Sequence, residues 1–457
     1  MRSTAVLGGL AVAIGASAAA LHPMAAVGIV LGVAAVIWIL SNALNATLAF
    51  IVVLVLRPAD HFPALATMQP AKVVAVVAIL SLVVTKLFHS DMRLSRAPQG
   101  KWMLALAGGV LLSSILSTHP SASLELFADV FVKMLIMYGL LVHLVTTKPQ
   151  AVRLHLALGL CTVGLALLAV YVRGSGLATV EGNRAAIVGL LSDPNDLALI
   201  LVVYVPLFAE LFLGTRGLQR LGSGLMLAVL IAGIMATVSR GGVLGLVAAM
   251  AFTFYDRGSV SLRLLLVPTL AAMMLGMLVL AGLNDRSSGA YKHGEIDASA
   301  QGRLDVWASG VRMAARNPVS GVGFGQFADN HLAYASNPAA WESRDAHNSF
   351  IKAAAETGLV GFIPFMALVF LTFRVAYQRR KADVPEDSPI ERAVRRSVFP
   401  SMMGFCVAAF FLSQCWSWFL FILFAESATL YEIWKPVPER PGSDEDLGTM
   451  RAYVGPL

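Results

Sequence analysis

Charge is scarce in this sequence. Only 13% of its 457 residues are Asp, Glu, Lys or Arg, while 57% are hydrophobic. An ordinary soluble domain, about 45–50% apolar, is thereby excluded. Cysteine is scarcer still: Cys161, Cys406 and Cys415 lie in or beside apolar stretches without ligand-like spacing. Neither a disulfide framework nor a zinc site is expected, and the three are read as small packing residues. A His-x-x-x-His pair and an outward acidic cluster are also missing, so no metal and no cofactor is called for. Gly321-Val322-Gly323-Phe324-Gly325 has no strand signal before it and no Lys-Ser/Thr pair after it. It is read as a hinge or tight turn rather than a phosphate cradle. There is no obvious internal repeat, and low complexity is confined to the Pro-, Gly- and acid-rich tail from Lys435, expected to be a loose end.

What is abundant is long apolar stretches. A bilayer core takes about 20 apolar residues per helix. Candidate spans fall near 5–21, 24–40, 43–57, 71–88, 101–117, 125–146, 152–172, 195–213, 222–239, 241–256, 262–282, 348–376, 397–414 and 416–433. The expected fold is all-α: a polytopic bundle of about 12–14 membrane helices. Arg2 and Ala-Ser-Ala-Ala-Ala flank the first run like a cleaved signal peptide, but further apolar helices follow at once, which favours a retained span.

Lys and Arg in alternate short loops set the orientation. Arg93, Arg96 and Lys101, then Lys148 and Arg153, Arg216 and Arg220, Arg257 and Arg263, and Arg379 to Arg396 mark cytoplasmic loops. Both termini are then inside, and the one long polar loop lies outside. The expected organisation is 1–282 as an N-terminal membrane bundle, 283–347 as an outer loop or lid, 348–434 as C-terminal membrane helices and 435–457 as a cytoplasmic tail. The net charge of +7 is accounted for by topology, and no nucleic-acid partner is implied. Within the loop, apolar and charged residues interleave over Gln301–Arg316, predicting an amphipathic helix on the membrane surface that Asn317-Pro318 stops.

Outward-facing arginines oppose the positive-inside trend and need a partner. Arg57, Arg173, Arg184, Arg240 and Arg303 form such a set, and the planar guanidinium fork suits phosphate oxygens at headgroup level. Interface snorkelling or pairing with a local carboxylate is the plainer alternative for each. Arg240, in Ser239-Arg240-Gly241-Gly242, is expected at a tight outer hairpin. Asp193-Pro194-Asn195-Asp196 opens a span, with Asp193 or Asn195 as cap; a sharper role is holding sugar hydroxyls. His347, one of nine histidines, closes the polar loop and is the candidate acid–base group, with Asn348 beside it and Glu356 nine residues on, read as near the same helix face. A helix cap or interface histidine is the alternative. Glu125, Asp129 and Lys133 repeat every four residues, and an internal Asp129–Lys133 pair that fixes packing is expected.

Taken in order, Asp193-Pro194-Asn195-Asp196-Leu197-Ala198, Ser239-Arg240-Gly241, Arg303-x-x-x-Trp307, Asn317-Pro318-x-x-Gly321-x-Gly323, His347-Asn348-x-Phe350 and Glu356-x-Gly358 resemble the bacterial O-antigen ligases and polymerases and their protein-glycosylating relatives. The resemblance runs over roughly residues 40 to 430; the family is usually described with about twelve spans. It implies an inverting, metal-independent glycosyltransferase of the inner membrane with its active site facing the periplasm. The donor would be an undecaprenyl-pyrophosphate-linked glycan, and the acceptor lipid A core, protein or another glycan. The family's functional residues would fall on Arg184, Arg240, Arg303 and His347, with Arg57 added here from the outward arginines. Polysaccharide polymerisation is the alternative within the family. An anion (bicarbonate-like) transporter using Asp129 and Lys133, or a structural subunit, are the alternatives outside it.

Overall fold

A computed structural model of the chain describes residues 36–39, 41–61, 67, 70–88, 95–176, 179–180, 184–187, 192–255, 291–292, 295–296, 298–336 and 344–434. The stretches expected to span at 5–21 and 262–282, almost all of 24–40, and the tail from Lys435 lie outside the described residues. What is described is almost entirely helical, in keeping with an all-α polytopic membrane protein. The membrane-face helices are α1 (Ala43–Leu56), α2 (Pro58–His61), α3 (Pro70–Phe88), α4 (Gln99–Ile115), α5 (Pro120–Leu126), α6 (Val132–Leu144), α7 (Lys148–Ser175), α8 (Pro194–Gly214), α9 (Gly217–Ala236) and α10 (Arg240–Phe254). After them come α11 (Ala298–Arg316), α12 (Phe327–Tyr334), α13 (Ser349–Lys381), α14 (Pro389–Ala409) and α15 (Trp418–Ile433). Two small antiparallel ladders complete the list, β1 (Thr179–Val180) with β2 (Arg184–Ala185) and β3 (Tyr291–Lys292) with β4 (Glu295–Ile296).

Among the described residues, six helical segments are long and apolar enough to cross a membrane: Ala43–Asp60, Pro120–Leu144, Lys148–Ser175, Pro194–Gly214, Gly217–Ala236 and Ser349–Lys381. The enclosed element is α8, nearly all of whose side chains are buried, and it packs against α9, α10 and α14. Close approach depends on small residues, as expected where lipid offers no hydrophobic drive between helices. A Cβ on Gly233 would meet Ala166 Cβ at 2.6 Å, and one on Gly245 the Gly404 carbonyl at 2.8 Å.

Two buried polar knots tie the end of the bundle opposite α11. Asp387 accepts from Lys148 at 2.8 Å, Arg395 at 2.7 Å and the Trp434 indole at 2.9 Å. Arg380, 1% exposed, donates to Glu210 at 3.3 Å and to the carbonyls of Arg396, Phe252 and Thr253. Each charge is thus paired and hydrogen-bonded, which burial requires.

Helix α13 is two helices in one line. At Gly358 the backbone leaves helical geometry (φ 54°, ψ −161°), freeing carbonyls before the break and N–H groups after it. The segment that follows α11 satisfies all four. Val322 N–H donates to Ala355 O at 2.9 Å and Gly323 N–H to Glu356 O at 3.0 Å. Leu359 N–H reaches Pro318 O at 2.8 Å, and Val360 N–H reaches Val319 O at 3.2 Å. Inside a bilayer such groups have no water to turn to, so the docked loop is what makes the break tolerable. The glycine run is therefore a turn, with positive φ at Gly321, Gly323 and Gly325. Phe324 anchors it in a ring cluster with Phe131 and Trp416, centroids 5.6 and 5.3 Å away.

One expectation is corrected. Asp129 and Lys133 do pair, at 3.1 Å, but their side chains are 67% and 39% exposed and face outward. A π-helical turn at Phe127–Phe131 joins α5 to α6 and shifts the register, so Phe131 rather than the charged stripe enters the core.

Replacing Gly358 with Ala should destabilise the fold by about 1–3 kcal/mol, because this φ/ψ region is nearly exclusive to glycine. The added Cβ would also strike the Val319 carbonyl. A thermal unfolding midpoint in detergent unchanged from wild type would contradict this account.

Candidate active site

The site lies where the N-termini of α8, α10 and α13 meet α11. Each of these helices is launched by a capped residue. Asp193 accepts from Asn195 N–H at 2.7 Å, Ser239 Oγ from Gly242 N–H at 3.1 Å, and Asn348 from Phe350 and Ile351 N–H at 3.0 Å. Before two of the caps stand residues with left-handed backbone, Val238 (φ 51°) and His347 (φ 45°). For a β-branched valine this is a genuine outlier, and such strain gathers at functional sites. His347 is therefore not the helix cap. Asn348 holds that role, which leaves the imidazole outside the helix.

Arg184, carried on the β1–β2 hairpin, donates through Nε to Thr237 O at 3.1 Å and through Nη2 to Asn195 Oδ1 at 2.8 Å. Arg173 reaches the neighbouring carbonyl, Ala236 O, at 3.2 Å. The hairpin that sets Arg240 at the start of α10 is thus gripped from α7 and β2. Arg303 comes from the first half of α11, and its field is shared with both. Partial burial, then the like charges of Arg240 and Arg184, push its guanidinium below the ordinary arginine value, with Asp193 opposing. Arg303 therefore shares its surroundings with the guanidiniums of Arg240 and Arg184, a grouping that suits an anion.

His347 borders that space. Burial, then the positive charge of Arg303, holds its imidazole below the ordinary histidine value, against the smaller opposing pull of Asp345 and Asp193. Its backbone N–H donates to Ser413 Oγ at 2.9 Å. At neutral pH the ring is the unprotonated form, able to take a proton.

The structure gathers Arg184, Arg240, Arg303, His347, Asn348, Asp193 and Asn195, while two expected members stand apart. Arg57 forms a local pair with Asp60 at 2.7 Å. Glu356 does not share a face with His347: nine residues is two and a half turns, which ends on the opposite side, and His347 precedes the helix. It is fully buried, accepting from the Trp416 indole at 2.7 Å and Phe327 N–H at 3.3 Å, with Lys352 Nζ at 3.8 Å. Its support is to the docked loop. Sequence reasoning named Asp196 only within the Asp193–Asp196 quartet and did not single out the Asp345–Lys352 pair, 2.6 Å apart. Their only sequence signal was charge next to a span start. Cys161, Cys406 and Cys415 are free thiols, the first and last of them buried. Among the described residues no group of three or more His, Cys, Asp or Glu is gathered as metal ligands.

Residues 225–366 match the O-antigen ligase family. The matched stretch runs from α9 into the second half of α13 and contains Arg240, Arg303, His347 and Glu356, while Arg184, Asp196 and Gln414 lie outside it. No curated protein matches the chain. The O-antigen ligase family supports ligase- or polymerase-type glycosyl transfer in general, with lipid-linked glycan and acceptor substrates.

Removing Arg303 should raise the His347 pKa, since a like charge no longer opposes protonation. In NMR titrations of histidine-labelled protein, His347 should titrate below about 6.5 in wild type and move upward in Arg303→Ala. A downward move or none would show that the guanidinium does not face the ring.

Proposed function

We propose that this protein is an inverting glycosyltransferase that moves a glycan from undecaprenyl pyrophosphate to an acceptor hydroxyl on the periplasmic face of the inner membrane, in surface polysaccharide assembly. The observation that supports the reading is the gathering of Arg184, Arg240 and Arg303 beside His347 at the capped starts of α8, α10 and α13.

Pyrophosphate is a competent leaving group, so the need is charge stabilisation rather than protonation. The acceptor oxygen attacks the anomeric carbon from the face opposite the pyrophosphate. A new C–O bond forms as the bond to the phosphate oxygen breaks, and the electron pair leaves with the pyrophosphate, held by the three arginines. His347 takes the hydroxyl proton. One displacement of this kind inverts the anomeric centre.

Orientation has support from the fold. The loops and helix ends that carry Arg96, Lys148, Arg216 and Arg379–Arg396 share the end of the bundle opposite the site, as the Ser95–Glu432 and Lys148–Asp387 contacts show for parts of it. By the positive-inside rule that end is cytoplasmic. The transporter reading loses its support, because Asp129 and Lys133 face outward rather than into a path.

His347→Ala should lower turnover at least about 100-fold, the usual contribution of a positioned base, while Arg240→Ala should raise the donor KM. Wild-type rate should climb with pH through a midpoint below about 6.5 and stay flat above it, because only the unprotonated ring accepts the proton. The assay is glycan transfer by purified protein with EDTA present. Normal turnover in His347→Ala, or transfer abolished by EDTA, would refute the mechanism.

A further inference from the structure

His347 stands in a backbone region that few residues with a side chain occupy. Its φ of 45° is left-handed, and a residue stays there only where its surroundings over-determine it. The ties are visible on both sides. After it, Asn348 caps α13 through the N–H groups of Phe350 and Ile351, and the His347 N–H itself donates to Ser413 Oγ at 2.9 Å. Before it, Asp345 Oδ1 accepts Ala346 N–H at 2.8 Å, and Asp345 Oδ2 accepts from Lys352 Nζ at 2.6 Å. Lys352 lies in the first turn of α13. The Asp345–Lys352 pair therefore closes the chain on itself across His347.

Lys352 is not free to follow Asp345. Its side chain is 15% exposed, and one turn further along α13 its Nζ lies 3.8 Å from Glu356 Oε1. That carboxylate is fully buried, held by the Trp416 indole at 2.7 Å and by Phe327 N–H at 3.3 Å. One ammonium thus stands between two carboxylates. A buried Glu356 needs a counter-charge, which a neutral amide at this position would not supply. Through Glu356 the pair is anchored to α12, at the end of the docked loop, and to the α14–α15 connection, both rigid against the helix break.

We propose that Lys352 is a positioning residue for the base: through Asp345 it holds His347 in its left-handed backbone and so fixes where the imidazole sits. The inference rests on the transferase reading above and deepens it, since a displacement on the order of 1 Å at a reacting group can cost about 100-fold in rate.

The test uses full-length protein in nanodiscs carrying isotope-labelled histidine. Lys352→Met keeps the stem and removes the charge. Asp345→Ala breaks the same tie from its half-buried end and leaves Glu356 its counter-charge, so it decides the matter if Lys352→Met fails to fold. Each should lower kcat for glycan transfer about tenfold or more with the donor KM within about twofold, and Lys352→Arg should restore most of the rate. The Cα and Cβ chemical shifts of His347, which report its backbone region, should leave their wild-type values in the Met and Ala variants and keep them in the Arg variant. The imidazole midpoint should also fall in Asp345→Ala, because that carboxylate favours the protonated ring. A lysine that only stabilised the fold would lower the unfolding midpoint without moving these shifts. Wild-type His347 shifts in the folded variants, or a donor KM that rises as kcat falls, would overturn the positioning role and leave the transferase reading intact. Wild-type protein that makes no product from an undecaprenyl-pyrophosphate oligosaccharide with lipid A–core, glycan or peptide acceptors would overturn the transferase reading. The carbon shifts need no turnover and would still decide whether Lys352 sets the backbone of His347.

Discussion

Everything at the site depends on the repair of a broken backbone. A helix can leave its geometry in a membrane-spanning segment only if other groups replace the lost hydrogen bonds. Here the residues after α11 supply them, two as donors and two as acceptors. The same loop brings Phe324 into the ring cluster around Trp416 and puts Phe327 N–H on the buried Glu356. Position is thereby imposed on α11, and with it on Arg303. The geometry of the candidate site is a by-product of satisfying four peptide groups.

The second constraint is electrostatic. Like charges held together in a partly desolvated space raise the free energy of the empty site and lower it on anion binding. The arginines come from β2, α10 and α11, which are far apart in sequence, so their convergence is a tertiary property. Hydrogen bonds to Thr237 O and Asn195 consume part of the donor capacity of Arg184 and fix its direction. A preset guanidinium pays little reorganisation at the moment charge develops.

Much of this was legible in the sequence because membrane spans write themselves in long apolar runs. Expected spans at 43–57, 195–213 and 241–256 meet helices at Ala43–Leu56, Pro194–Gly214 and Arg240–Phe254. Polar residues at span entrances, Arg240 and His347 among them, marked the site end for the same reason. The break at Gly358 left no such trace, since the apolar pattern runs on through Leu359, Val360 and Phe362 and the repairing loop lies some forty residues earlier. The direction of Asp129 and Lys133 was misread because a π turn adds a residue that periodicity counting cannot see. Within the quartet at the start of α8, the capping signal belongs to Asp193 alone.

The Arg380–Glu210 contact joins residues 170 apart in the chain. Synthesis delivers the carboxylate first, so α8 enters the membrane with an acid whose counter-charge has not yet been made. During that interval the helix must keep Glu210 near water or neutral, because an unpaired charge in hydrocarbon is costly. Final seating of α8, the most enclosed candidate span among the described residues, therefore waits for the C-terminal third of the chain. Assembly of this protein is closed from its last helices backward, although it is inserted from its first.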